Sequence, residues 1–237
     1  KSNEALKLFN DAQMLLNKHF NNEVCDALFG IYPAYSDDND NIFINGEKFP
    51  VLRQQKPDAN GICLSLADFV AKNAPDHVGL FAVTIGKNIS NMIEQEEDAY
   101  LRLLMQTVAD RLAEAAAEYL HEKVRKQYWG YAPDENISLE EILKEHYQGI
   151  RPAIGYPSLP DQTLIFKLDK ILNLNKINIS ITENGAMTPT SSVAGLYFAH
   201  PQSKYFMLGK ITDEQLQDYA SRSDKNLSEV AKYLARN

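Results

Sequence analysis

Residues Arg151 to Asp161 read RPAIGYPSLPD, with three prolines and one glycine in eleven positions. Proline locks its own φ and removes a backbone donor, so this run can be neither a helix nor a central strand. The residues before each proline, Arg151, Tyr156 and Leu159, are pushed towards extended backbone. The expected result is a stiff, irregular edge whose carbonyls find few partners in secondary structure. Arg151 adds a planar fork of donors suited to a carboxylate or phosphate, and Tyr156 adds a ring and a hydroxyl. Such an edge suits a ligand that joins a nucleoside to an amino acid.

The rest of the chain must carry this edge, and it has the means. Its 237 residues are 44% hydrophobic, enough for a substantial core. A net charge of −8 argues against nucleic acid, which wants a basic face. Cys25 and Cys63 are too few for a disulfide scaffold or a zinc site, and a reducing cytoplasm is the expected setting. No apolar run is long enough to span a bilayer. The chain opens on Lys1 inside a helical pattern. It is therefore read as one domain, residues 1–237, of a longer protein.

Periodicity sketches the elements. Glu4 to Phe20 reads as an amphipathic helix with Leu8, Ala12, Leu15 and Leu16 on one stripe, ended by Asn21 and Asn22. Strands are expected at Ala27 to Tyr35, from Ile42, at Phe49 to Gln55 and at Val78 to Thr84, with a short helix at Cys63 to Ala71. Glu96 to Tyr128 lacks Gly and Pro and predicts one helix on the order of 50 Å long. Ser138 and Glu141 form a capping box opening a helix to about Tyr147. A helix from Asp161 to Leu172 follows, then strands at Lys176 to Thr182, Ser191 to His200 and Tyr205 to Gly209. Thr212 opens a helix to Arg222, and another begins at Ser228. The expected fold is α+β: a single domain with a twisted, mainly antiparallel sheet and segregated helices, one of them long.

Several long irregular words carry a resemblance: LRQQ (Leu52 to Gln55), LADFVA (Leu66 to Ala71), GLFAVT (Gly79 to Thr84) and ADRLAEAAAEYLHEKVRKQYWGYAP (Ala109 to Pro133). YQGIRPAIGYPSLPD (Tyr147 to Asp161) and SVAGLYFAHPQSKYF (Ser192 to Phe206) complete it. Over nearly its whole length the chain resembles the activation domain of cobalamin-dependent methionine synthase, a methyltransferase that moves a methyl group from methyltetrahydrofolate to homocysteine. The resemblance implies a module that binds S-adenosylmethionine and supports reductive methylation of cob(II)alamin to methylcobalamin. It implies two partners: a neighbouring cobalamin-binding module, and flavodoxin or an equivalent reductase as electron donor. The domain alone is not expected to run the synthase reaction. By the same resemblance the ligand lies along Arg151, Ala153 and Tyr156 and beside Tyr197 and Phe198, with Glu114 and Glu145 close by. An upstream aspartate of the family, near the ligand's amino group, has no counterpart in this sequence.

Blander readings stand beside these. Arg151 could be structural, pairing Glu145 or Asp161. Glu118 and His121 form a single Glu-x-x-His pair, whereas a di-iron bundle needs two pairs and two further glutamates, so surface or ion-pair roles are expected. His200 reads as a strand-end histidine hydrogen-bonded to backbone. Cys25 is expected to be partly exposed and Cys63 buried. No histidine shows metal spacing with either cysteine, and no Gly-rich phosphate loop is present. A free-standing activator of a corrinoid protein and a docking-only domain are the alternative functions.

Overall fold

The computed structural model describes residues 2–20, 24–58 and 60–234. In chain order the elements are α1 (Ser2–His19), β1 (Cys25–Ser36), β2 (Asn41–Ile44), β3 (Glu47–Pro50), β4 (Asp76–Ile85), α2 (Lys87–Gln95) and α3 (Ala99–Lys123). They continue with α4 (Leu139–Leu143), α5 (Leu164–Leu172), β5 (Ser180–Ile181), β6 (Met187–Thr188), β7 (Ser192–Tyr197), α6 (Asp213–Ser223) and α7 (Leu227–Leu234). The predicted stop of α1 at Asn21–Asn22 lies outside the described residues. Leu8, placed on the buried stripe of α1 by its spacing, is half exposed.

The chain groups into two compact units. One comprises Lys1–Leu28, Ala82–Leu120 and Leu174–Val193; the other comprises Phe29–Phe81, His121–Asn173 and Ala194–Asn237. The first unit buries Leu104, Met105, Val108, Ala109, Ala113 and Ala117 of α3. These recur at three- and four-residue spacing, which makes one buried face. The alanines are the small residues that allow close packing there.

The principal sheet has strand order β3-β2-β1-β4-β7, and its strands β2 and β3 lie wholly in the second unit. β2 pairs antiparallel with both β1 and β3. Asn45 and Gly46 join β2 to β3, both at positive φ (49° and 85°). This is the two-residue turn whose twist matches a hairpin, and the Asn-Gly dipeptide is its sequence signal. Ile42, Ile44, Phe49, Leu80 and Phe81 are fully buried on this sheet. α6 and α7 close over Leu52 and Leu208 through Tyr219, Ala220, Val230 and Leu234.

Several expected elements differ. The long helix expected from Glu96 to Tyr128 is α3, which starts after Asp98, whose carboxylate accepts the Leu101 N–H at 2.9 Å; the helix α2 that precedes it, Lys87–Gln95, was not expected. α3 then widens into a π turn at Val124–Tyr128, with Trp129 N–H donating to the Val124 carbonyl at 2.9 Å. The capping box at Ser138 and Glu141 is present, but α4 stops at Leu143. Glu145 and Gly149 both take positive φ there (59° and 85°), which ends helical backbone. The strand expected at Tyr205 to Gly209 is irregular, and that at Lys176 to Thr182 is reduced to β5.

Candidate functional site

The rigid segment does not stand free of secondary structure. Ile150 N–H donates to the Phe198 carbonyl at 3.0 Å, and Phe198 N–H returns the bond at 3.0 Å. Leu196 N–H donates to the Pro152 carbonyl at 3.0 Å, and Ile154 N–H to the Ala194 carbonyl at 2.9 Å. The carbonyls of Ile150 and Pro152 are therefore partnered, against the expectation of few partners. Proline is tolerated because this is an edge pairing, and Pro152 needs to offer only its carbonyl.

Gly195 makes the pairing possible. A Cβ built there would fall 2.3 Å from the Pro152 carbonyl oxygen and 2.8 Å from Ala153 Cα. Beyond Ile154 the chain reverses at Gly155, whose φ is +88°. Gly155 N–H bonds the Leu159 carbonyl at 2.8 Å, and Leu159 N–H bonds the Tyr156 carbonyl at 2.8 Å. This small loop leaves Tyr156 51% exposed while Ala153, Ile154 and Leu159 are buried. Asp161 then anchors the start of α5: its Oδ1 accepts from Thr163 N (2.9 Å) and Oγ1 (2.6 Å). Its Oδ2 accepts from the Tyr219 hydroxyl at 2.7 Å, with Lys225 Nζ at 3.5 Å. Asp161 thus has its own partners, as the anchor of α5.

Six of the seven residues named from the resemblance lie in the second unit: Arg151, Ala153, Tyr156, Tyr197, Phe198 and Glu145. Glu114 lies on α3 within the first. Arg151 is half-buried, Glu145 is exposed and Glu114 is half-buried. Tyr197 and Phe198 are 0% and 1% exposed. Their side chains are core, and it is their strand that meets the rigid segment.

Sequence reasoning missed what lies beneath. His121, expected at the surface or in an ion pair, is 0% exposed. Its ring stacks on Tyr197 (5.1 Å between centroids, 8° between planes) and meets Tyr147 edge-on at 5.2 Å. Tyr197 in turn stacks on Phe81 at 4.6 Å. His121 Nε2 lies 3.2 Å from the Tyr131 hydroxyl, while Nδ1 is buried with no hydrogen-bond partner. A proton on Nδ1 would be an orphaned donor, so the neutral ring carries its hydrogen on Nε2 and donates to Tyr131. Burial holds the imidazole well below its usual pKa of 6.5, and the positive charges of Arg125 and Arg151 add to this. The Arg125 guanidinium sits 4.1 Å over the Tyr147 ring and grips Glu135 through two hydrogen bonds, 2.8 and 2.9 Å. The available signal was the run His121-x-x-x-Arg125, two polar residues on one helical face, but spacing alone does not tell a buried face from a wet one.

His200 takes the bland role expected of it. Its Nδ1 accepts the Gln202 N–H at 3.2 Å. Cys25 and Cys63 are both free and half-buried, so Cys63 is more open than its sequence neighbours suggested. Burial and the neighbouring Asp26 push the Cys25 thiol up to about 11, which makes it a poor nucleophile. Among the described residues no group of three His, Cys, Asp or Glu could hold a metal ion, and no helix is long and apolar enough to cross a membrane.

The chain is similar to known proteins over nearly its whole length. The family described as "Vitamin B12 dependent methionine synthase, activation domain" matches residues 1–224. A solved structure entitled "Crystal Structure of the MetH Reactivation Domain bound to AdoHcy" superposes with a TM-score of 0.88 at 40% identity, over 99% of this chain and 77% of that one. A family match of this extent leaves one assignment: the chain belongs to the activation-domain family of vitamin B12-dependent methionine synthase.

Proposed function

We propose that this domain binds S-adenosylmethionine along Arg151 to Tyr156 and presents its methyl group to the cobalt of a neighbouring cobalamin module. The observation that carries the reading is the docking of the proline-rich segment on β7 and the adjoining Phe198 by four backbone hydrogen bonds, with half-buried Arg151 and exposed Tyr156 along it. Preorganised backbone lowers the ordering cost of binding. The similar structure, by its title, holds the demethylated product of such a ligand.

The chain's own residues would act as follows. Arg151 pairs the amino-acid carboxylate through two parallel hydrogen bonds. Tyr156 covers the nucleoside with its ring. Ala153 contributes through its backbone and adds no bulky side chain beside it. Tyr197 and Phe198 contribute through the strand that holds the segment, and Glu145 is a candidate for the ligand's amino or hydroxyl groups. The reaction supported is a reductive methylation: cob(II)alamin gains one electron, takes the methyl group from S-adenosylmethionine, and leaves S-adenosylhomocysteine and methylcobalamin. The electron comes from flavodoxin or an equivalent reductase, and the setting is the cytoplasm. The full synthase reaction needs folate and homocysteine modules beyond this domain.

The direct test is titration calorimetry with S-adenosylmethionine and S-adenosylhomocysteine, with NAD and ATP as controls. Binding of the first two alone is the expected result. No heat and no thermal shift at millimolar ligand would refute the reading.

A further inference from the structure

The backbone N–H of Arg151 is not part of the pairing with β7. Neighbours Ile150 and Ile154 spend theirs on Phe198 and Ala194. Alternation along extended backbone sends the Arg151 N–H to the opposite side. There it donates to the Tyr205 hydroxyl at 2.9 Å. This bond joins residues 54 positions apart, and its acceptor comes from a segment with no regular structure of its own.

The chain reaches that position by a tight reversal just after β7. Ser203 N–H donates to the His200 carbonyl at 3.0 Å, Ser203 Oγ donates to the same carbonyl at 2.7 Å, and Gln202 N–H donates to His200 Nδ1 at 3.2 Å. His200 is itself packed at 6.1 Å against Phe69. The turn His200–Ser203 is thus closed by three hydrogen bonds on one residue. Its product is to swing Tyr205 back onto the rigid segment.

We propose that Tyr205 is a positioning residue for the ligand site, its hydroxyl setting the main chain at Arg151 and hence where the guanidinium is presented. β7 holds the segment at Ile150, Pro152 and Ile154, and Tyr205 holds it between them at the residue that carries the charge. A guanidinium fork tolerates little misplacement when it must meet two carboxylate oxygens in one plane. The claim rests on the proposed ligand role of Arg151, and the test separates the two.

Tyr205→Phe deletes one oxygen and leaves the ring. In calorimetry with S-adenosylhomocysteine, Tyr205→Phe should bind about five- to tenfold more weakly than wild type, with the melting temperature little changed. In an Arg151→Ala background, which keeps the Arg151 N–H but removes the fork, the second substitution should cost nothing further. Equal affinity of Tyr205→Phe and wild type would overturn the inference while leaving the ligand assignment intact. An additive loss in the double variant would also overturn it, since Tyr205 would then act independently of the fork. If wild type binds no S-adenosylhomocysteine, the ligand assignment fails by itself. The positioning role is then decided in the free protein by the Arg151 Nε NMR resonance. That resonance should shift in Tyr205→Phe, and an unmoved resonance would refute the role.

Discussion

At the scale of single residues, the site depends on groups whose chemistry cannot be substituted by size alone. A charged hydrogen bond of the kind assigned to Arg151 is worth about 1.5–3 kcal/mol. Arg151→Ala should therefore weaken S-adenosylmethionine binding roughly ten- to a hundredfold by calorimetry. Arg151→Lys should restore only part, because a point charge does not replace a fork. His121 supports a different prediction. It is buried and neutral, with its pKa held below 6.5 first by burial and then by Arg125 and Arg151. The unfolded chain binds that proton near pH 6.5 and the folded chain does not, so stability falls as pH drops below about 6.5 towards the lowered folded value. Denaturant unfolding between pH 7 and pH 5 should show a weaker pH dependence in His121→Phe than in wild type. Identical slopes would mean that the imidazole does not differ in protonation between the two states.

At the scale of elements, β7 is the part on which the site stands. Its Gly195 accepts the approach of Pro152, and nothing in the repeat of hydrophobic residues along SVAGLY marks that position as different from its neighbours. Gly195→Ala places a methyl group 2.3 Å from the Pro152 carbonyl oxygen. Backbone must move, and overpacking of this kind costs about 1–3 kcal/mol. The variant should melt lower and also bind S-adenosylhomocysteine more weakly. A lower melting temperature with unchanged affinity would separate the β7 pairing from ligand binding. The same scale shows which elements were legible. α6 and α4 announce themselves through Thr212 and the Ser138–Glu141 box, and both caps form. The short helix α2 was not read, because its N-cap is Gly86, which offers no side-chain cap to mark a start. The irregular Tyr205 to Gly209 stretch has strand-like composition, but the Tyr205 hydroxyl is committed to Arg151 and the Met207 carbonyl to Gln54 Nε2 (2.9 Å) rather than to a ladder.

At the scale of the whole molecule, the expected partner is a cobalamin module, and the acidic balance of −8 suits a basic patch on it. Docking should be transient if, as proposed, the same cobalamin also serves folate and homocysteine modules. Tyr156 is at the surface and open to such a partner, whereas Tyr197 and Phe198 are inside the core. Mixing this domain with a separately prepared cob(II)alamin module, a reductant and S-adenosylmethionine should give the methylcobalamin spectrum only when every component is present. Equal formation without the domain would remove its reactivating role. By itself the sequence determined the α+β class, the rigid edge and the family. Proline, glycine and long irregular words act locally, and they survive any tertiary arrangement. The tertiary structure alone decided that the edge is pinned to β7, that His121 and Tyr197 are a buried stack, and that Tyr205 reaches Arg151. Those contacts join residues far apart in the chain, and burial and hydrogen bonding between distant segments leave no periodic trace in the sequence that makes them.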